Sequence, residues 1–353
     1  MRLGQTNSQR GTPRVLLAVV LMILLSSVTT GSAFTALYVF GDSLSDTGRN
    51  PAPAPDYYDG RYSNGPLWIE YLSAQLGLPY NASNNFAVSG STTADLQSQI
   101  AGLTSSTNLQ SGLFSVLSGG NDFLDASPVL GVNDAAWGVV VSNAVLNLTN
   151  AVSTLYALGA REVMVGNLAY VGQTPAFLGT PVGYAEYVDS KVALFNARLA
   201  SALTNLAQLA PGLRIYALDD NLAFANLLSS PAKYGLTVTT NGALEDPNLT
   251  DKSFTGPGAD YVFWDVVHPT TKVDALTAAG AFQSVSPQLN LPRNSAESNL
   301  MVVNLYPGLP YAIQTSTNLV TWSDYQTITP AGTNAIVGWT NGSASQFFYR
   351  VKY

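Results

Sequence analysis

The chain has 353 residues, 46% of them apolar and 10% charged, with a formal net charge of −7. That length predicts a large domain plus a small one. The acidic balance, without a Lys/Arg cluster, excludes nucleic-acid binding and disfavours docking on anionic lipid. Cysteine is absent and histidine occurs once, so thiol chemistry, disulfides, Cys-ligated zinc and a His-rich metal site are excluded.

In chain order, Arg2, Arg10 and Arg14 precede an apolar run from Val15 to Leu25 and the small residues Gly31-Ser32-Ala33. This pattern predicts a secretory signal peptide over residues 1–33 and a mature chain that starts at Phe34 outside the cytoplasm. An uncleaved anchor is the alternative, although the run falls short of the roughly 20 residues that a membrane span needs.

Short apolar runs bounded by Gly, Asn or Asp predict buried parallel strands at 36–40, 86–88, 113–117, 162–165 and 213–218. Helical spacing of apolar positions predicts helices over 66–76, 136–158, 184–209 and 270–285. Pro66 sits in the first turn of one, and Gly159 follows another as a C-cap. The alternation predicts a three-layer α/β/α domain over 34–290 with a mostly parallel sheet. Ligands bind such sheets at the carboxyl ends of the strands. Three polar segments fall there: Gly41-Asp42-Ser43, Ser89-Gly90 and Gly119-Gly120-Asn121-Asp122. Glu245, Asp246, Asp251 and Asp260 read as an exposed polar loop, with a calcium role as the lesser alternative.

Beyond residue 287 the texture changes. Residues 292–299 read as a linker, followed by alternating runs at 300–303, 311–314, 335–337 and 347–351. Turn residues Pro307-Gly308 and Asn341-Gly342 separate them. They predict a small, sandwich-like all-β module over 296–353.

The single imidazole, His268, lies in Asp265-Val266-Val267-His268-Pro269. A serine hydroxyl needs a base to become a nucleophile, and the base needs a third group to orient it. Asp265 stands where it can hold one ring nitrogen while the other faces a serine. Each segment alone is ordinary: a strand followed by a Gly-Asp turn, a Gly-Gly-Asn-Asp turn, a helix-entry loop. Order and context join them.

Together these blocks resemble the SGNH (GDSL) hydrolases, a family of serine esterases and lipases with a flavodoxin-like fold. The first block is Phe40-Gly41-Asp42-Ser43-Leu44-Ser45-Asp46-Thr47-Gly48. The resemblance makes Ser43 its nucleophile. In Asn85-Phe86-Ala87-Val88-Ser89-Gly90-Ser91 the Gly90 amide, and in Gly119-Gly120-Asn121-Asp122 the Asn121 side chain, then become oxyanion-hole donors. The last block supplies His268 as base and Asp265 as its orienting carboxylate. Arg61-Tyr62-Ser63-Asn64-Gly65-Pro66-Leu67-Trp68-Ile69-Glu70-Tyr71 is similar to the phospholipase/lecithinase-like and plant-type branch. The resemblance covers roughly residues 36–286. A Gly-x-Ser-x-Gly elbow is absent, which disfavours the ordinary α/β-hydrolase fold.

The resemblance implies an ester hydrolase acting on a small-molecule or lipid ester, without metal or cofactor. A carbohydrate esterase, and a non-catalytic surface or carbohydrate-binding protein, are the alternatives. Asp42, Asp46 and Asp122 read as turn-pinning residues. Tyr57, Tyr58, Tyr62 and Trp68 read equally as walls of an acyl pocket or as loop packing. The tail, marked by Gln314 to Trp322 and by Phe348-Tyr349-Arg350-Val351, resembles a β-module of exported bacterial proteins. It implies at most transient contact with lipid or glycan. Trp322 and Trp339 read as core packing rather than sugar platforms.

Overall fold

The computed structural model describes residues 34–103, 109–286, 288–290, 299–303, 305, 310–331, 335–338 and 348–352. The signal-peptide segment, most of the expected linker, both C-terminal turn pairs and Trp339 lie outside the described residues.

Four strands form a parallel sheet in the order β1-β2-β3-β4: β1 (Ala36–Gly41), β2 (Gly112–Leu117), β3 (Glu162–Gly166) and β4 (Arg214–Leu218). Helices α1 (Trp68–Gln75) and α2 (Leu96–Ala101) lie between β1 and β2. Next come α3 (Gly120–Leu130) and α4 (Asp134–Ala157), then α5 (Tyr184–Leu209) after β3 and α6 (Asp220–Ser229) after β4. Strands β5 (Val238–Gly242) and β6 (Tyr261–Phe263) pair in parallel before α7 (Thr271–Val285).

Alternate side chains of each strand leave opposite faces of the sheet. Tyr38, Phe40, Phe114, Val116, Val163 and Val165 join the core beneath α4 and α5. Leu37, Val39, Leu113, Leu117 and Met164 face α1 and α7. Helix α4 is long and apolar enough to cross a membrane. Trp137, Val141, Ala144, Leu148, Ala151, Val152 and Leu155 nonetheless form a fully buried stripe along it.

The expected strand over 86–88 is not formed. Residue Asn85 bridges Val39, and the amides of Phe86 and Val88 bond Val39 O and Gly41 O at 2.7 and 3.1 Å. A continuing ladder needs the Gly41 N–H as its next donor, but that group bonds Gln99 Oε1 at 2.9 Å, while Gln99 Nε2 donates to Gly41 O at 2.8 Å. A side-chain amide thus caps the sheet edge and frees residues 86–91 to turn toward the site.

The C-terminal strands are β7 (Gln288–Asn290), β8 (Asn299–Val303), β9 (Tyr311–Ser316), β10 (Ser323–Ile328), β11 (Ala335–Gly338) and β12 (Phe348–Lys352). They form two antiparallel sheets, β10-β9-β12 and β11-β8-β7. Val302, Tyr311, Ile313 and Val337 continue the apolar cluster that contains Tyr216, Ala281 and Val285. Trp322 is not a core residue as the sequence had implied. It is half-buried, donates to Leu319 O at 3.2 Å and carries the Arg350 guanidinium 4.3 Å over its ring.

Candidate active site

The first side chain of the site stands on the turn that leaves β1. Gly41 has φ 152°, and a Cβ there would meet Leu117 O at 2.1 Å, so only glycine lets the chain pass so close to β2. The turn then closes through Ser45 N and Asp46 N, both 3.0 Å from Asp42 O. This places Ser43 above the carboxyl end of the sheet, 8% exposed.

The loop after β6 brings its counterpart. Trp264 N donates to His268 O at 2.7 Å and Thr270 N to Val262 O at 3.0 Å, closing residues 264–269 into a tight turn. Inside it Asp265 Oδ1 accepts the amides of Val267 and His268 at 2.8 and 2.7 Å. The short spacing of Asp265 and His268 is therefore a fold in itself, a carboxylate bridging its own loop. Asp265 Oδ2 lies 2.7 Å from His268 Nδ1, and His268 Nε2 lies 2.7 Å from Ser43 Oγ. Three residues from sequence positions over 200 apart thus form one unbroken relay, with the serine hydroxyl donating to the ring and the ring N–H donating to the carboxylate. Burial works against the Asp265 charge, but the imidazole and the two amides hold its carboxyl below the usual range.

Gly90 lies in the turn closed by Ser91 N and Val88 O at 3.1 Å, with φ 85°. The amides of Ser43 and Gly90 have no acceptor among the described residues. Asn121, in the first turn of α3, donates from Nδ2 to Ser91 O at 2.8 Å and lines the same cleft as Ser43. One N–H of its amide is thereby fixed and the other remains for a ligand.

Of the three aspartates read as turn-pinning, Asp46 and Asp122 do more than close their own turns. Asp46, fully buried, takes the amides of Gly48, Arg49 and Asn50 and both the amide and hydroxyl of Ser89. Asp122 takes the Thr93 amide and hydroxyl at 2.9 and 2.7 Å. Asp42 accepts the Leu44 amide at 3.1 Å, and burial raises its pKa to about 6.

An apolar cleft of about 120 Å³ opens beside Ser43 and His268, walled by Leu44, Trp68, Leu124, Leu168, Val171 and Phe224. Burial also raises Asp220, on its wall, to about 6, and pushes Asp274 well above the usual carboxylate range. Of the four aromatic candidates, Trp68 alone is a cleft wall. Tyr58 packs edge-on against Phe254, with ring centroids 5.8 Å apart. Tyr57 and Tyr62 turn instead to the His268–Asp265 pair, a placement that no local pattern signals. Of the acidic residues read as an exposed loop, Glu245, Asp251 and Asp260 are exposed, whereas Asp246 is buried and accepts from Tyr261 Oη and the Asn248 amide, so it closes a turn inside the protein. Among the described residues no group of three or more acidic or imidazole side chains is placed to hold a metal ion.

Residues 37–280 match the family model described as GDSL-like Lipase/Acylhydrolase. The chain belongs to that family. It is a carboxylic ester hydrolase. Over 326 residues, covering 73% of this chain and 84% of its relative, it is 27% identical to a GDSL esterase/lipase of Arabidopsis thaliana. A phosphatidylcholine-sterol acyltransferase of Aeromonas hydrophila is 26% identical over 321 residues, covering 72% of this chain and 91% of that one. An acetylxylan esterase from Geobacillus stearothermophilus superposes with a TM-score of 0.43 at 14% identity, over 72% of this GDSL hydrolase and 96% of that chain.

Proposed function

We propose that this GDSL hydrolase is a secreted serine esterase or lipase that cleaves lipid-like esters through an acyl-enzyme. The observation that carries the reading is the Ser43–His268–Asp265 relay, both links at 2.7 Å, opening onto an apolar cleft. In this mechanism Ser43 Oγ attacks the ester carbonyl while His268 Nε2 takes its proton. Asp265 stabilises the imidazolium that forms. The amides of Ser43 and Gly90 and the Asn121 side chain receive the oxyanion. His268 returns the proton to the leaving alcohol, then activates water against the acyl-Ser43 ester. No step calls for a cofactor.

The cleft supports an acyl chain as its occupant, since its walls are aliphatic and aromatic and lie beside the nucleophile. Kinship with a phosphatidylcholine-sterol acyltransferase agrees with a lipid ester. Export is supported by residues 1–33 of the sequence alone. Contact of the C-terminal strands with lipid or glycan belongs to the same proposal and likewise rests on sequence.

The test compares the purified protein with Ser43→Ala on p-nitrophenyl esters from acetyl to palmitoyl. Hydrolysis by the parent that disappears in the variant, with an optimum above acetyl, is the expected result. Equal rates in both proteins would remove Ser43 from the chemistry. An acetyl optimum with activity on acetylated xylan would make the enzyme a carbohydrate esterase instead.

A further inference from the structure

We propose that Tyr57 is a positioning residue for the imidazole–carboxylate pair, its hydroxyl holding Asp265 while Tyr62 braces the imidazole ring. The inference rests on the reading of Ser43, His268 and Asp265 as the catalytic relay.

Tyr57 Oη donates to Asp265 Oδ2 at 2.7 Å, the same oxygen that accepts His268 Nδ1. Asp265 thus receives four hydrogen bonds, two on each oxygen, and Tyr57 provides the one that comes from outside its own loop. The tyrosine ring meets Tyr62 at 5.1 Å, and Tyr62 lies along the imidazole at 4.7 Å with 30° between the planes. Their segment is anchored on both sides of the histidine loop. Trp264 Nε1 donates to Asp56 O at 2.9 Å, Ser63 Oγ to Pro269 O at 3.0 Å, and Thr271 N to Asn64 Oδ1 at 2.9 Å. Residues 56–64 therefore form a clamp whose two tyrosines touch the two partners of the nucleophile.

The clamp has an electrical as well as a steric effect. Burial, and the carboxylate that accepts its bond, push the Tyr57 pKa upward, so the hydroxyl remains a donor. Donation to Oδ2 draws charge from the oxygen that faces His268, which weakens the carboxylate's hold on an imidazolium. Other ionisable groups around the pair are Glu245, whose charge acts on both Asp265 and His268, and Asp42, which acts on His268. A change at Tyr57 leaves both in place.

The test is Tyr57→Phe, which removes one oxygen and keeps the ring against Tyr62. Expected are a roughly tenfold lower kcat at unchanged KM, because the loosened carboxylate no longer holds the imidazole in line with Ser43, and an acid limb displaced to higher pH, because the unshared carboxylate stabilises the imidazolium more strongly. In an Asp265→Asn background the same change should alter kcat less than twofold, since the effect passes through the carboxylate. The chain has one histidine, so an NMR titration follows His268 without assignment ambiguity, independently of turnover. A titration superimposable on the parent's overturns the proposal, as does an equal kcat loss with and without the Asp265 carboxylate. Full activity of Ser43→Ala would instead overturn the catalytic reading, which keeps the two failures distinct.

Discussion

Asp46 and Ser89, 43 residues apart in the chain, meet through two hydrogen bonds to one carboxylate oxygen, 2.7 Å from the serine amide and 2.9 Å from its hydroxyl. With three amides of its own loop on the same side chain, Asp46 fixes the turn that carries Ser43 against the turn that carries Gly90. Asp46→Ala leaves several enclosed donors without an acceptor, at roughly 1–3 kcal/mol for each that water cannot reach. Thermal unfolding should show a Tm lower by several degrees. An unchanged Tm would mean that the two turns hold their places without it.

Asn121 presents one amide N–H to the cleft while the other is committed to Ser91 O. Asn121→Ala should lower kcat by about 10²–10³-fold with KM little changed, as loss of a donor to a developing oxyanion does. A rise in KM at full kcat would assign the side chain to ground-state binding instead.

Leu124 projects from α3 into the cleft beside Ser43. Filling that space with Leu124→Trp should suppress hydrolysis of decanoyl and longer esters at least tenfold more than hydrolysis of acetyl esters. Parallel losses across the series would move the acyl chain out of this cleft.

Asp42 is 3% exposed, and its pKa rises from 3.8 to about 6. A folded value above the unfolded one means that the fold favours the protonated acid. That contribution is fully present below pH 3.8 and is lost as the pH rises through 6. Above pH 7 the protein carries the buried charge, a burden of about 3 kcal/mol for a shift near two units. Asp42→Asn keeps an oxygen for the Leu44 amide and removes the charge. Urea unfolding at pH 8 should show a gain approaching that size, shrinking toward zero at pH 4. A gain independent of pH would trace it to packing rather than titration.

The layered α/β domain was legible because its strands and helices are long, apolar and periodic. Helix α5 spans the residues the pattern indicated, and β1 to β4 each differ from expectation by one residue at one end. Strand β10 escaped notice because nearly all of its side chains are exposed, so it lacks the apolar alternation that marks a strand. The run at 86–88 misled for the opposite reason: its residues are apolar enough for a strand, but its ladder partner is taken by Gln99.

Within the site, the chain pattern already narrows the choice of base and its partner. A single histidine leaves one place for an imidazole base, and the carboxylate three residues earlier shares its turn, so local geometry alone couples them. The resemblance pointed to Ser43, but packing brings it to that ring and sets Tyr57 behind the pair, which no part of the sequence signals. Ser43 reaches His268 across 225 positions, and Tyr57 reaches Asp265 across 208. Contacts of that range leave no periodic trace in the chain, because they are set by packing around the sheet and not by the conformation of neighbouring residues.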